Sequence, residues 1–568
     1  MESIATSREP HSAELADNVS GPPPEETTPP APRKRRYSAQ SWLTSSQLPI
    51  LLILALTFLS RFQLAGWNSY WYDELLSVNV YAGWHDTLTE AIRALADNSI
   101  HPPLYQLTLY NWIEWFGDTE LATRTLSNLY ITLATLCLYL LVTMSFGRRL
   151  ALLAAVAFSL MNIPTYYALE SRSYAQTIFL ATLSSYLLLK VLHRLNGTDG
   201  VKVMWSPGFI AFAATNVALL LTHYYNFFFL AAQGLFGLCY AIWNQKEGRL
   251  RRSGILVAGY LVQLSIFWVI WGPILLADVE RRAGAFPAED GLRSPLQLLL
   301  SSVITPNVRA PRWVEWLGLI VGLAVVLGAL KGVASYSKPF ATRFRSWTTL
   351  YLVAWLALPV TVVYVTFAVT GVARYSLRYF VFSVPAVAAL IPLTTDEIAK
   401  FAARAVRRLR SAAPSIALST ALSLTLTTTL VLPGAHAAAT TQKEDFRGIA
   451  ELVVELVRAD QAHSYIIYEA GHRRPAMFDY YLQRFGFAEP SGTLRSSEEA
   501  RGDYEIFTTG QSVIREHDYL IVVFPHLRTA HFPKALAMLE GHYSVRHRQL
   551  DARGRGFIVF DVAPAIDA

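Results

Sequence analysis

Cysteine is nearly absent. The 568 residues hold two, Cys137 and Cys239, each inside a long apolar run. A disulfide framework and a cysteine-built zinc site are both excluded on that ground. Charge is scarce as well: Lys, Arg, Asp and Glu make up 16% of the chain, against about 25% in an average globular protein. Hydrophobic residues fill 53%, and mean hydropathy is +0.30. These values exclude a disordered chain and point away from an ordinary soluble enzyme. An internal repeat is also missing, which counts against transporters assembled from inverted repeats.

What is present is a series of apolar runs. Residues 1–46 come first, polar and proline-rich, with Gly21-Pro22-Pro23-Pro24 and then Arg33-Lys34-Arg35-Arg36. Such a stretch cannot bury a core and reads as a disordered tail. Its polar lead is too long for a secretory signal, so the first apolar stretch reads as a retained anchor. Residues 47–434 hold runs long enough to cross a bilayer at about 20 residues each. They predict eleven spans, near 48–66, 122–145, 150–168, 172–193, 206–222, 224–243, 253–276, 313–332, 347–369, 378–397 and 413–434.

Lys and Arg in short loops mark the cytoplasmic side. With the N-terminus inside, Arg148-Arg149, Lys190 to Lys202, Lys246 to Arg252, Lys331 to Arg345 and Lys400 to Arg410 all fall inside. The net charge of +7 is therefore read as topogenic, not as a nucleic-acid footprint. The count leaves 67–121 wholly outside. Its segment 103–116 is too short and too polar to span, and predicts an amphipathic helix in the interface with Trp112 and Trp115 at headgroup depth. Residues 435–568 turn polar and mixed. Helical periodicity at 446–458, 472–484 and 530–540 alternates with strand-like runs at 464–468, 519–524 and 556–560. That pattern predicts a small extracytoplasmic α/β domain. It has no nucleophile motif, and Arg553-Gly554-Arg555-Gly556 reads as a turn before the last strand.

Charges near a membrane are costly and therefore informative. Here they gather in the outer loops. The first opens with Trp67-Asn68-Ser69-Tyr70-Trp71-Tyr72-Asp73-Glu74 and later holds His101-Pro102-Pro103-Leu104-Tyr105. Others read Glu170-Ser171-Arg172-Ser173-Tyr174, His223-Tyr224-Tyr225-Asn226 and Arg374-Tyr375-Ser376-Leu377-Arg378-Tyr379. Carboxylates, histidines and arginines facing one leaflet fit a site that handles an anionic lipid headgroup and activates a hydroxyl.

In this order and at this spacing the segments resemble a family. Added to them are Phe116-Gly117-Asp118-Thr119-Glu120 leading to Arg124, and the late Lys443-Glu444-Asp445-Phe446-Arg447-Gly448. From about residue 48 to 450 the chain is similar to the bacterial relatives of the dolichyl-phosphate-mannose–protein mannosyltransferases, within the GT-C superfamily of membrane glycosyltransferases. The wider group includes the transferase that adds 4-amino-arabinose to lipid A. The resemblance implies a polytopic α-helical GT-C fold in a bacterial plasma membrane. It implies transfer of a hexose or pentose, with inversion, from a polyprenyl-phosphate donor to a hydroxyl of a lipid, glycan or protein acceptor.

The chemistry explains the residue types. The acceptor hydroxyl needs a base, and the leaving phosphate needs positive charge and donors. Asp73, the family's first-loop acid by resemblance, is the expected base. It could also cap a helix over 74–84. Glu74 is expected to orient Asp73 or the acceptor, or to support the helix dipole. Glu170 is the expected second acid, to bind an acceptor, share a divalent metal with Asp73, or pair with Arg172. The sequence has no tight ligand cluster, so the metal is left open. Arg378, and after it Arg374, are the expected phosphate ligands; both could instead anchor at the interface. His101, Arg172, Tyr174, His223 and Tyr224 are expected substrate contacts, against turn-forming or snorkelling roles. The loop 277–312 would cover the donor cavity or serve as a solvated connector. The rival reading is a lipid or solute transporter without covalent chemistry, whose charges would sit near the bilayer midplane.

Overall fold

The computed structural model describes residues 47–83, 85–98, 101–195, 200–243, 249–282, 327, 330, 334, 339–370, 377–410, 416–441, 445–460, 464–469, 476–486, 491–494, 519–524, 544–550 and 556–561. The expected tail 1–46, most of span 313–332, most of the loop 277–312, Arg374 and the expected helix 530–540 lie outside the described residues.

Helix α1 (Leu48–Ala65) leads into a long loop built of α2 (Tyr72–Leu75), a π-helical turn (Leu76–Gly83), α3 (Leu88–Asn98) and α4 (Leu104–Phe116). The membrane region continues with α5 (Glu120–Phe146), α6 (Arg148–Leu160), α7 (Asn162–Ala168), α8 (Tyr174–Leu195), the short α9 (Gly200–Met204), α10 (Pro207–Leu220), α11 (Asn226–Trp243) and α12 (Arg249–Arg282). After it come α13 (Phe340–Thr370), a 3₁₀ turn (Leu377–Ser383), α14 (Val384–Arg410) and α15 (Ile416–Thr440). Ten of the eleven expected spans thus fall on described helices. Eight of these are long and apolar enough to cross a membrane, and the bent pair α6–α7 adds a ninth. Helix α10, at 14 residues, is shorter than its expected span 206–222.

Local chemistry sets the helix boundaries. Thr119 caps α5 by accepting from the Ala122 N–H at 3.1 Å, and Ser206 caps α10 with Pro207 behind it. Gly147 joins α5 to α6 at φ 87° and ψ 166°, a region open to glycine alone. The expected single span 150–168 is broken by 58°. Pro164 lacks an N–H, and its ring would clash with the carbonyl four residues back, on Leu160, where α6 ends. Buried Arg61 donates to the Ser159 carbonyl at 2.7 Å and so covers the negative end of α6.

Helix α5 packs on α6 and α8, α14 on α6 and α15, and α11 on α13. Inside the bundle, neutral polar side chains bridge the described helices. Asn216 on α10 donates to Gln263 on α12 at 2.9 Å. Gln233 on α11 donates to Ser184 on α8 at 2.8 Å. Such bonds hold spans together where apolar contact gives no preference over lipid. At one end of the bundle, Arg149 and Lys400 converge on buried Asp396 at 2.6 and 2.8 Å.

Helix α4 has the expected length and buries Tyr105, Gln106, Leu109 and Tyr110. Trp115 is 73% exposed. Trp112 is half-buried, and its indole donates to the Ala122 carbonyl at 2.8 Å and ties α4 to α5. Helix α15 runs past the expected boundary at 434, to Thr440. Beyond it, α16 (Phe446–Asp460), β1 (Ser464–Glu469), α17 (Ala476–Arg484), β2 (Ser491–Leu494), β3 (Tyr519–Phe524), β4 (Ser544–Leu550) and β5 (Gly556–Asp561) form the small α/β domain. Strand order is β2-β1-β3-β5-β4. β1 runs parallel to β2 and β3, and β5 antiparallel to β3 and β4. The sequence reading missed β2 and β4. They are edge strands, and β4 carries Arg546, His547 and Arg548 where an apolar run would have signalled a strand.

Replacing Gly147 with alanine should cost about 1–3 kcal/mol of stability. A Cβ there meets nothing within 4 Å, so the cost is conformational. Thermal unfolding of purified protein should show a lowered midpoint without altered helix content.

Candidate active site

Trp71 precedes α2, and its N–H meets Glu74 Oε2 at 3.4 Å. The helix therefore starts ahead of Asp73 and not after it. The expected cap role of Asp73 gives way, and its carboxylate projects from the first turn. The backbone then widens into the π-helical turn, a form often met at functional sites.

Three loops bring charge to Asp73. Arg172, from the turn between α7 and α8, places a guanidinium nitrogen 3.8 Å from Asp73 Oδ2. Arg378, from the 3₁₀ turn before α14, reaches the same oxygen at 3.5 Å. Both contacts are long, so neither holds the carboxylate as a close hydrogen-bonded pair. Arg172 is nonetheless fixed: it donates to the Asp73 carbonyl at 3.1 Å and to Ser77 Oγ at 2.9 Å. Burial works against its charge, but Asp73, Tyr174 and Glu170 together outweigh that and hold its pKa above the ordinary arginine value. Arg378 is a third exposed and stacks over the Tyr379 ring at 5.5 Å.

An aromatic wall stands beside the arginines. His223 lies 5.0 Å from His101, 6.0 Å from Tyr174 and 5.5 Å from Tyr379 between ring centroids. His223 Nδ1 accepts from the Tyr225 N–H at 3.2 Å, so the neutral ring carries its proton on Nε2. Burial, and then Arg172 and Arg378, push its pKa down to about 3. It is a neutral donor at physiological pH. Tyr224 points elsewhere: its hydroxyl accepts from Trp271 on α12 at 3.1 Å.

Glu74 does not face the reacting space. Arg124 grips it with two bonds of 2.8 Å, and the Ser171 N–H reaches Oε1 at 2.7 Å. Neither side chain of the pair is more than 1% exposed. The expectation of a catalytic Glu74 yields to a strut that joins the first loop to α5 and to the Glu170–Tyr174 turn. Arg124 was quoted as part of a motif but not as a site residue. Its signal was an arginine in the opening turns of a span, which needs a buried counter-charge. Glu170 is 1% exposed and sits on the same turn. Arg172 lies within electrostatic reach of both Glu170 and Asp73. Tyr379 and Ser77 were also missed; an aromatic or a serine beside a span carries no distinguishing sequence signal.

Among the described residues no three His, Cys, Asp or Glu side chains gather to hold a metal ion. The groups nearest Asp73 are guanidiniums, which repel cations. These residues do not fit a metal, and no step is derived through one.

Residues 100–271 match the family described as dolichyl-phosphate-mannose-protein mannosyltransferase. The chain is similar in structure to ArnT from Cupriavidus metallidurans in the apo state, with TM-score 0.53 and 13% identity over 91% of this chain and 98% of that one. ArnT bound to undecaprenyl phosphate matches with TM-score 0.50 and 14% identity, over 92% and 99%. No curated protein matches the sequence. The chain is a multi-span membrane protein that shares the GT-C fold of these structures, and residues 100–271 within it match the mannosyltransferase family.

Removing one partner from the Glu74–Arg124 pair should cost about 3–5 kcal/mol, because the other charge stays buried. Glu74→Gln and Arg124→Met should each lower the thermal midpoint sharply, and the double variant should recover part of the loss. His223 gives a pH dependence of known sign. Its folded pKa lies below the unfolded value of about 6.5. The stability it contributes is whole above pH 6.5 and is lost as pH falls toward 3, about 2 kcal/mol of it by pH 5. His223→Asn should flatten the fall in thermal midpoint between pH 7 and pH 5.

Proposed function

We propose that the protein transfers a sugar, with inversion, from a polyprenyl-phosphate donor to an acceptor hydroxyl at the outer face of a bacterial plasma membrane. The observation that carries this reading is Asp73 held between Arg172 and Arg378. ArnT, solved with undecaprenyl phosphate bound, supports the lipid phosphate as donor headgroup.

The resting ion pairs are long and partly exposed. An incoming phosphodiester competes for both guanidiniums, and arginine suits phosphate oxygens. Arg172 keeps its place through the Asp73 carbonyl and Ser77. Arg378 turns from the Asp73 carboxylate to the phosphate. The carboxylate is then released to accept the acceptor proton. The acceptor oxygen attacks the anomeric carbon from the face opposite the phosphate. The bond from that carbon to the phosphate oxygen breaks, and polyprenyl phosphate leaves with the electron pair. The arginines stabilise the negative charge that develops. His223 and Tyr174 offer hydrogen bonds to sugar or phosphate, and Glu170 stands as the second acid on the acceptor side.

Orientation follows from charge. Arg378 opens the span whose far end carries Lys400, a rise of about 33 Å. Lys400 and Arg149 share Asp396 at that far end. If basic loops lie inside, the Asp73 site faces out. A transporter reading is not favoured, since the middle of the bundle holds the neutral amides of Asn216, Gln233 and Gln263.

The test is a membrane assay of wild type and Asp73→Asn with a panel of radiolabelled polyprenyl-phosphate sugars. Wild type should transfer label, and the variant should lose at least about a hundredfold, within the usual worth of a general base. Full activity in Asp73→Asn would remove Asp73 from the role of base. Wild-type inactivity across donors and acceptors would reject the transferase reading.

A further inference from the structure

The segment between α1 and Asp73 has no regular secondary structure, yet its backbone is held residue by residue. Arg124 on α5 donates to the carbonyls of Ala65, Asn68 and Ser69 at 2.8, 2.6 and 2.9 Å. Arg447 on α16 takes the two carbonyls that Arg124 leaves. It donates to Gly66 at 3.3 Å and to Trp67 at 2.7 Å. The hydroxyl of Tyr481 on α17 accepts the N–H of Tyr70 at 2.8 Å. Two of these three clamps belong to the C-terminal domain, and nothing in the Asp73 chemistry uses them.

The clamps share one carboxylate. Tyr481 donates to Glu120 Oε1 at 2.7 Å, and Arg447 reaches the same oxygen at 3.3 Å. Glu120 opens α5, one turn before Arg124. The Tyr70 hydroxyl meets Thr123 Oγ1 at 2.5 Å, and Thr123 meets Ser171 at 2.7 Å, next to Arg172. The Tyr481 phenol is pushed up by burial and by the Glu120 charge beside it, so it stays protonated and keeps both bonds. Apolar contact supports the dock: Tyr70, Leu75 and Val78 share one buried cluster with Phe446, Tyr480 and Tyr481.

We propose that the C-terminal domain is part of the active-site scaffold, with Tyr481 and Arg447 as positioning residues that fix the backbone leading into Asp73. This rests on the reading of Asp73 as the base. The domain acts through the loop and touches no reacting atom. Loosening the 65–70 backbone misplaces the carboxylate against the acceptor hydroxyl, while Arg378, carried on the separate turn before α14, keeps its place for the donor.

The test uses the full chain in detergent with Tyr481→Phe, which keeps the ring, and Arg447→Lys as a second variant. Amide hydrogen exchange should rise in peptides covering 65–76 and stay unchanged in α8. The kcat for sugar transfer should fall about tenfold, since small misplacement costs rate steeply, while KM for the polyprenyl-phosphate donor holds. Unchanged exchange in both variants would overturn the clamp. Raised exchange with unchanged kcat would overturn the positioning role. A loss seen in donor KM would assign the domain to donor binding instead. If wild type shows no transfer at all, the reading of the reaction fails on that result, and the exchange measurement still decides the clamp.

Discussion

The buried pair of Glu74 and Arg124 is the constraint on which the rest of the site depends. Two full charges are nearly without solvent at the edge of a membrane bundle. Burying them is tolerated only because each is fully engaged. Arg124 spends its remaining donors on the Ala65, Asn68 and Ser69 carbonyls, and Glu74 spends its remaining lone pairs on the Ser171 and Trp71 amides. One ion pair thus sets the path of the loop before Asp73 and the height of the turn that carries Arg172. The adjacent acids divide the work: Glu74 is spent on structure, which leaves Asp73 as the carboxylate that faces the site.

Electrostatics then decide which groups can do chemistry. Asp73 sits opposite two guanidiniums, at distances that let a stronger oxyanion displace it. Burial, and after it the same positive charge, keeps His223 neutral, so it can donate a hydrogen bond but cannot shuttle protons near pH 7. Under the proposed reaction the two cations would meet the leaving phosphate and the carboxylate would accept one proton.

Much of the architecture was legible in the chain. Apolar runs placed ten of the eleven expected spans on described helices because membrane crossing demands length and hydropathy above all else. The gathering of Asp73, Arg172, His223 and Arg378 was legible for the same reason, since a charge beside a bilayer is retained only for use. The break at Pro164 was missed because hydropathy does not register a missing N–H. Strands β2 and β4 were missed because edge strands lack a continuous apolar signal. The clamp by Tyr481 and Arg447 was invisible because its partners stand 411 and 380 residues apart in sequence.

By itself the sequence determined that this is a membrane bundle with a polar C-terminal domain and with acids and arginines collected on one side. Those properties follow from solvent: each residue must match oil, interface or water wherever the chain folds. Tertiary structure alone decided which acid is spent and which is available. Asp73 and Glu74 are neighbours of the same type, and no local preference tells them apart. The choice was made by Arg124, fifty residues away, and by the direction each carboxylate takes from a single turn of helix.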